Sequence, residues 1–226
     1  MAASKNTIDQ FISDQVEKWK QQTKAHVPVI TLSTEPGSGG RIVASRVAER
    51  LDLDLFDRDI IKGVAESVRL SDKVIQTIEK ERLSGIKDFI SVLVDDKYLY
   101  PGIYLQHLIK VVTVLSKHGH ALIVGRGANF IIPPKERIAV RIVAPLIRRM
   151  ENVARKYGVT EEEANRRILN REKRRAAFIR QSFKADVAKA SNYDLVINTE
   201  NLDINAAVGA IVGCVVGNRD RLLNTL

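Results

Sequence analysis

Apolar residues recur at two different spacings along the chain, and the alternation between these spacings predicts the fold class. Short runs dominated by apolar residues predict five strands: VITLS, which is β-branched and predicted to be buried, LDLF, ALIVG, RIAVRIVAP and YDLVINT. Between these runs, apolar residues return every three or four positions, as they do on one face of a helix. Short apolar strands that alternate with helices are typical of a parallel sheet covered on both faces. We therefore predict an α/β domain.

The segments with helical spacing are long and clearly separated. They cover residues 5–24, 60–118, 146–190 and 203–217, with a further helix in IVASRVAERLDL after a glycine cluster. Ser71 is a candidate N-cap inside the second segment, which the pair Pro101-Gly102 interrupts. The last segment carries Gly209, Gly213 and Gly217, a spacing that predicts close packing against another helix of the domain. We assign 1–26 to an N-terminal amphipathic helix and 27–226 to the main domain.

Composition narrows the class of protein. The chain has 226 residues, of which 45% are apolar and 28% charged, which is typical of a globular protein. A single cysteine provides neither a disulfide framework nor a cysteine cluster for zinc. No apolar run reaches the roughly 20 residues that a membrane span needs, and the N-terminus has no secretory apolar core. We therefore expect a cytoplasmic protein with no membrane partner.

The formal net charge is +9, and much of the excess lies in the segment RRILNREKRRAAFIR at 166–180. A basic excess of this kind indicates either an anionic partner or good solubility. Nucleotide phosphates and nucleic acid are both possible partners on this evidence alone.

The stretch TEPGSGGRI at 34–42 stands between the first predicted strand and a helix. A glycine loop in this position directs backbone N–H groups and a helix N-terminus at one point, which suits a phosphate group. The general phosphate loop is G-x-x-x-x-G-K-[ST]. When Gly39 is taken as its second glycine, Thr34 occupies the first-glycine position, Gly40 the lysine position and Arg41 the hydroxyl position. A shift by one residue places Arg41 at the lysine position and Ile42 at the hydroxyl position, and neither register satisfies the motif. The loop either binds an anion or simply makes a tight bend, and Arg41 is a candidate for the missing positive charge.

Three stretches, ITLSTEPGSGGRIVASRVAERLDLDLFDRDII, ALIVGRGANFII and YDLVINTENL, closely resemble the cytidylate-kinase-like proteins, a branch of the nucleoside monophosphate kinases. The resemblance covers roughly residues 28–213, and a GSGGR loop without the lysine is common in that family. It implies a P-loop kinase fold of three α/β/α layers, with a five-stranded parallel sheet in the order 2-3-1-4-5 and a mobile helical lid. It also implies ATP and Mg²⁺ as cofactors, with a helical acceptor side at 60–118 and a basic lid at 160–185. The residues expected to bind the cofactor phosphates are Gly37, Ser38, Gly39, Gly40, Arg41 and Ile42.

Two further clusters lie where a kinase of this type would bind its acceptor nucleotide. Asp57, Arg58 and Asp59 follow the second strand, and Asp57 and Arg58 are candidates for contact with the acceptor. Alternatively, Asp57 or Asp59 is the N-cap of the following helix, and this interpretation is preferred for Asp59. Arg126, in the GRGAN segment after the third strand, is a candidate ligand of the acceptor phosphate or base, the alternative being a surface arginine on a tight turn.

Four arginines of the basic segment fall within an arc of roughly 100° on a helical projection: Arg167, Arg171, Arg174 and Arg175. A closing lid needs such a cluster against a developing phosphoryl charge. Together with Arg41, we expect Arg171, Arg174 and Arg175 to be catalytic. The alternative is a solvated helix balanced by the acidic residues at 161–163. Arg148 and Arg149 are candidates for stacking on adenine, or are solvent-facing charges.

The sequence therefore predicts an ATP- and Mg²⁺-dependent phosphotransferase acting on a nucleoside monophosphate, with a CMP-like acceptor preferred. The alternative is a nucleotide-binding regulatory or scaffold protein with little transfer activity, because the loop lysine and hydroxyl are both missing. Nucleic-acid binding is not favoured, since few aromatic residues interleave with the arginines. Assembly into a homo-oligomer through the N-terminal helix is a further possibility.

Overall fold

The structure is a computed structural model that describes residues 5–21, 29–67, 74 and 102–218. The described helices are α1 (Lys5–Gln21), α2 (Gly40–Arg50), α3 (Arg58–Glu66), α4 (Gly102–His118), the one-turn α5 (Ala128–Ile131), α6 (Leu146–Tyr157), α7 (Glu161–Phe183) and α8 (Ile204–Gly217). The strands are β1 (Val29–Thr34), β2 (Asp54–Phe56), β3 (Ala121–Val124), β4 (Arg137–Val143) and β5 (Leu195–Asn198). All five predicted strands are present, and each lies within or close to its apolar run.

The five strands form one parallel sheet in the order β2-β3-β1-β4-β5. This confirms the predicted order and the three-layer architecture. Because all strands run in the same direction, their carboxyl ends meet at one edge of the sheet, where ligands bind in open α/β folds. The segments that follow β1, β2, β3, β4 and β5 are therefore brought together at this edge.

Helices cover both faces of the sheet and bury two separate apolar layers. One layer is formed by α1, α3 and α4 against the sheet, and the other by α2 and α8. In α1, the residues Ile8, Ile12, Val16 and Trp19 are all buried in the first layer, and the Trp19 ring stacks on His118 with centroids 4.0 Å apart. The apolar face of the predicted amphipathic helix is thus already covered within the chain, while assembly through α1 stays a prediction.

The predicted helical segment 146–190 folds as a hairpin of two helices, α6 and α7, and the basic segment 166–180 lies within α7. Gly158, with φ at +62°, ends α6, and the Thr160 hydroxyl accepts a hydrogen bond from the Glu163 amide to begin α7. A small apolar cluster of Val153, Ala164 and Ile168 lies between the two helices, separate from both main layers. The hairpin therefore has a hydrophobic core of its own.

The structure contradicts the prediction about the glycines of α8, and it does not describe most of one predicted helix. Gly209, Gly213 and Gly217 lie on the exposed side of α8, and a Cβ placed at any of them would meet nothing within 4 Å. The expected close packing of this glycine face is therefore wrong for the described part of the chain. The predicted helix with Ser71 as its N-cap lies outside the described residues, apart from Val74. Among the described helices, none is both long enough and apolar enough to cross a membrane.

Candidate phosphate-binding site

The glycine loop joins the carboxyl end of β1 to the start of α2. Gly37 and Gly39 have φ angles of +86° and +76°, in the left-handed region that favours glycine. Gly39 is the N-cap residue of α2, and no side chain forms a capping hydrogen bond there. The N-terminus of an 11-residue helix, with its partial positive charge, is therefore presented at the ligand-binding edge of the sheet.

Two of the loop glycines are required by their surroundings. A Cβ on Gly37 would lie 2.5 Å from the Arg149 carbonyl oxygen, and a Cβ on Gly40 would lie 2.4 Å from the Cγ2 atom of Thr34. Gly40 occupies the lysine position of the general phosphate motif, and Thr34 occupies the first-glycine position. The first side-chain atom of a lysine at Gly40 would overlap the threonine methyl group, which gives a physical reason for the missing lysine.

Side chains from three other elements hold the carbonyl groups of this loop. Arg175 donates to the Thr34 carbonyl, Asn152 to the Gly37 carbonyl at 2.8 Å, and Thr199 to the Ser38 carbonyl at 2.9 Å. Within the loop, the Ser38 hydroxyl donates to the Glu35 carbonyl at 2.8 Å. The conformation of the loop is thus fixed before any ligand binds, with its carbonyl oxygens occupied by protein donors.

A cluster of buried charges lies behind the loop. The Glu35 carboxylate accepts a hydrogen bond from Arg141 at 3.0 Å and lies 3.5 Å from Arg149, and it also accepts from the Ala144 amide at 3.2 Å. Arg149 donates to the Ala144 carbonyl and pairs with Glu172 of α7 at 2.8 Å. Arg149 is buried, so the suggestion that it stacks on adenine is wrong, whereas Arg148 is half-exposed and lines the groove.

Arg175 reaches this cluster from α7, the helix that forms most of the predicted basic lid. Burial lowers the pKa of its guanidinium group, and the nearby charge of Arg141 lowers it further. Its Nε atom is buried without a hydrogen-bond partner among the described residues, and the side chain lines the same groove as the glycine loop. A desolvated cation therefore lies against the first residue of the loop.

Arg41 points toward the acceptor side of the site. Its Nη2 atom lies 3.0 Å from Asp57 and 3.2 Å from Asp59, and its side chain is 52% exposed. Asp57 is the N-cap of α3, because its carboxylate accepts from the Asp59 and Ile60 amides at 2.8 and 3.0 Å. The interpretation of Asp59 as the N-cap of this helix is wrong, because Asp59 lies in the first turn of α3. Arg58 is the first residue of α3, and its side chain lies outside the described residues.

The GRG turn after β3 has an unusual backbone. Gly125, Arg126 and Gly127 have φ angles of +78°, +55° and +73°, and such a conformation at a residue other than glycine costs about 1–2 kcal/mol. A Cβ on Gly127 would lie 2.3 Å from the Phe183 ring, at the end of the lid helix. Asn129, close behind, is buried, and its Nδ2 atom has no described partner. The turn is thus packed directly against the base of the lid.

A single groove of ≈ 1750 Å³ brings most of the predicted residues together. Its lining includes Gly37, Ser38, Gly39, Gly40, Arg41, Ile42, Arg126, Arg171, Arg174 and Arg175. Asp59 is part of the lining. Asp57 is not, and it contacts the groove only indirectly, by its ion pair with the lining residue Arg41. Of the lid arginines, Arg171 and Arg174 are exposed, whereas Arg175 is turned inward. Among the described residues, no group of three or more His, Cys, Asp or Glu side chains is placed to hold a metal ion.

Sequence reasoning missed the residues that hold the loop from behind, chiefly Glu35, Asn152 and Thr199. One signal was available: Arg137 and Arg141 interrupt an apolar strand of a sheet that is covered on both faces. A charge in such a strand requires a buried partner. The sequence does not show that the partner of Arg141 is Glu35, 106 residues earlier.

The loop and most of the residues that line the groove lie in a part of the chain that matches a known protein family. The model of the cytidylate kinase-like family matches residues 29–201, which include the glycine loop, the GRG turn and the lid. The chain belongs to the cytidylate kinase-like family. The family resemblance expected from the three sequence stretches is thereby confirmed.

Individual relatives agree with this assignment. The cytidylate kinase of Ignicoccus hospitalis is 28% identical over 184 residues, which are 81% of this chain and 96% of that protein. The cytidylate kinase of Methanopyrus kandleri is 29% identical over 180 residues, with 76% of this chain and 84% of that protein covered. This cytidylate kinase-like chain is thus a kinase-like enzyme by descent.

A solved structure agrees with the fold. The crystal structure of an uncharacterized protein from Eubacterium ventriosum superposes with a TM-score of 0.65 at 21% identity, covering 84% of this chain and 98% of that one. At this level of identity the likeness concerns the fold alone.

Proposed function

We propose that this protein is an ATP- and Mg²⁺-dependent kinase of a nucleoside monophosphate, with a CMP-like acceptor. One observation carries the proposal: a left-handed glycine loop, with its carbonyl groups held by protein donors, faces an arginine-lined groove at the carboxyl edge of the sheet. A loop of this kind is suited to the phosphates of a nucleotide. The names of the two cytidylate kinases to which this chain is similar support cytidylate as the acceptor.

The loop fits a phosphate chain because its glycines bring the backbone close to the groove. In the proposed reaction, the loop amides and the α2 N-terminus hold the donor phosphates, and an acceptor phosphate oxygen attacks the γ-phosphorus in line while the bond from the γ-phosphorus to the β-phosphate oxygen breaks and ADP leaves. The lid arginines Arg171 and Arg174 offset the charge that develops on the transferred group. Closure of the α6–α7 hairpin excludes water from the reacting atoms.

The carboxylates of Asp57 and Asp59 lie beside Arg41 at the end of the loop, and oxygen ligands of this type suit Mg²⁺, which usually keeps several waters. We assign these two residues to the ion, which when bound neutralises charge on the donor oxygens. Arg126, on the strained GRG turn, and Arg58 are assigned to the acceptor phosphate. Arg41, beside the two carboxylates, lies between the donor and acceptor sides.

The test is an assay of ADP formation with ATP, Mg²⁺ and a panel of nucleoside monophosphates. We expect turnover to be fastest with CMP or a close analogue, and to fall when Arg41 is replaced by alanine. Unchanged turnover in Arg41→Ala contradicts the role of Arg41, and fastest turnover with a purine acceptor contradicts the choice of CMP. Replacement of the exposed Arg50 at the far end of α2 by alanine is a matched control and leaves turnover unchanged.

A second candidate is a nucleotide-binding regulatory protein with little transfer activity. The observation in its favour is that Gly40 cannot carry a lysine beside Thr34, and that Arg41 occupies the hydroxyl position. This candidate predicts that ATP binds and that no acceptor in the panel yields ADP above the background rate.

A further inference from the structure

The acceptor side of the groove rests on a short unit formed by β2 and α3. β2 has only three residues and lies at the edge of the described sheet, hydrogen-bonded to β3. Asp57 directly follows it and caps α3, whose first residue, Arg58, is assigned to the acceptor phosphate in the proposed reaction. A short edge strand forms few hydrogen bonds and is easily displaced. The placement of this unit therefore depends on what packs against it.

α1 holds both ends of β2. At the start of the strand, the Asp54 carboxylate accepts hydrogen bonds from Gln15 at 2.7 Å and from Lys18 at 2.5 Å. Gln15 is buried, so its hydrogen bond is shielded from water. At the end of the strand, the fully buried Phe56 packs against Trp19, with ring centroids 6.3 Å apart and planes at 29°. The first and the last residue of β2 are thus both fixed by side chains of α1.

α1 also packs directly on α3. A Cβ on Gly63, in α3, would lie 2.5 Å from the Cδ1 atom of Ile8, so the two helices meet closely at this glycine. Ile8 is buried in the same apolar layer as Ile61 and Val64 of α3. A displacement of α3 relative to α1 breaks this contact and exposes part of the layer to water. β2 and α3 are therefore held as one unit by a single helix.

A continuous chain of contacts leads from α1 to the groove. Phe56 is followed by Asp57, and Asp57 pairs with Arg41, which lines the groove. None of the described α1 side chains is part of that lining. The carbonyl groups of the glycine loop, in contrast, accept from Asn152 and Thr199 of other elements. The contacts of α1 thus bear on the acceptor side, whereas the glycine loop is held independently of them.

We propose that α1 is the positioning element of the acceptor side: it fixes β2 and α3 on the sheet and thereby places Asp57, Arg58 and Asp59 at the groove. Ile8 acts through α3 and lies outside the groove, so it is a positioning residue. Binding of a nucleoside monophosphate beside this unit rests on the proposed function, whereas the placement of α3 by α1 does not.

The first experiment compares Ile8→Ala with Ile211→Ala, the same truncation at a buried isoleucine of α8, in the other apolar layer. The KM for CMP is measured at saturating ATP and Mg²⁺, and binding of ATP without Mg²⁺ is measured by calorimetry. Residues that couple two sites without touching either ligand change affinities by about 2- to 30-fold, and we expect a rise in KM of this size in Ile8→Ala. Ile211→Ala should change this KM by less than about twofold. Binding of ATP should change by less than about twofold in both variants, because the glycine loop is held independently of α1.

The outcomes separate this inference from the proposed function. Equal changes in the KM for CMP in the two variants overturn the role of α1, even when the wild-type protein is an active kinase. A loss of ATP binding in Ile8→Ala that equals the rise in KM also overturns it, because the effect is then not confined to the acceptor side. Absence of turnover in the wild type with every nucleoside monophosphate refutes the proposed function, and hydrogen exchange then decides whether α1 places α3.

Hydrogen exchange followed by NMR tests the placement of α3 without a substrate. The amide of Ile61 donates to the Asp57 carbonyl at 3.1 Å in the first turn of α3, and the amide of Val43 donates to the Gly39 carbonyl at 3.2 Å in the first turn of α2. We expect the ratio of the Ile61 exchange rate to the Val43 exchange rate to rise by about 2- to 30-fold in Ile8→Ala, and not in the α8 control. An unchanged ratio in Ile8→Ala refutes the proposal.

Ile8→Val is the second variant for the case in which Ile8→Ala does not fold. It removes only the Cδ1 atom that lies against Gly63, and Ile211→Val is its control. The same selective changes in the KM for CMP and in the exchange ratio are expected, with a smaller size. Equal changes in the two valine variants contradict the proposal.

Discussion

The contact between Gly40 and Thr34 makes a quantitative prediction about stability. In Gly40→Ala the new methyl group would lie 2.4 Å from the Thr34 Cγ2 atom and 2.7 Å from its Cβ atom, well inside ordinary van der Waals contact. Overpacking of this kind costs about 1–3 kcal/mol. The smaller backbone entropy of alanine in the unfolded chain offsets at most about 1 kcal/mol of this cost. We therefore expect Gly40→Ala to lower the free energy of unfolding by about 1–2 kcal/mol.

The assay is urea unfolding followed by circular dichroism, in a double-mutant cycle with Thr34→Gly. In the Thr34→Gly background the overlap is absent, so Gly40→Ala should stabilise the protein by up to about 1 kcal/mol. Gly209→Ala is the matched control, because nothing lies within 4 Å of its added Cβ, and it should stabilise both backgrounds equally. An equal cost of Gly40→Ala in both backgrounds would refute the explanation of the missing lysine by Thr34.

Three further predictions concern the turns and caps around the groove. Gly158→Ala should lower the free energy of unfolding in urea by about 1–2 kcal/mol, because of the positive φ alone. Gly127→Ala should lower it by about 1–3 kcal/mol more, because its Cβ would also overlap the Phe183 ring. Equal losses in the two variants would contradict that packing. Asp57→Ala removes the N-cap of α3 and should lower the free energy of unfolding by about 0.5–2 kcal/mol in the same assay. The pKa of Glu163 lies below its ordinary value chiefly because Arg167 donates a hydrogen bond to its carboxylate. The stabilisation from this pair is therefore present at neutral pH and is lost as the pH falls through the lowered pKa. Arg167→Gln should raise that pKa, which a carboxyl ¹³C NMR titration measures.

The central strands β1, β3 and β4 could be predicted from the sequence because they are buried almost throughout and therefore appear as continuous apolar runs, whereas the edge strands β2 and β5 are only partly buried. Ile30, Ile123 and Ile138, on three neighbouring strands, are fully buried. The strand order was implied by the family resemblance, since apolar runs alone do not specify which strands pair. The boundary between α6 and α7 was not predicted, although Gly158 and the Thr160 cap mark it locally in the sequence.

The candidate site was predictable only where its residues are local in sequence. The glycine loop and the basic segment are contiguous motifs, and both line the groove. In contrast, two carboxylates two residues apart fit the N-cap of α3 equally well, and only the backbone geometry assigns it to Asp57. The partners of Glu35 lie more than 100 residues away, and no local pattern indicates such a pairing.

The contact between Arg175 and Thr34 has a consequence for how the site releases what it holds. A movement that lifts the α6–α7 hairpin away from the sheet breaks this hydrogen bond and the hydrogen bond from Asn152 to the Gly37 carbonyl at the same moment. The same movement carries the positive charge of Arg175 away from the glycine loop. In the proposed kinase, the electrostatic potential of the loop therefore falls as the hairpin opens, and departure of a bound phosphate is coupled to opening instead of having to precede or follow it.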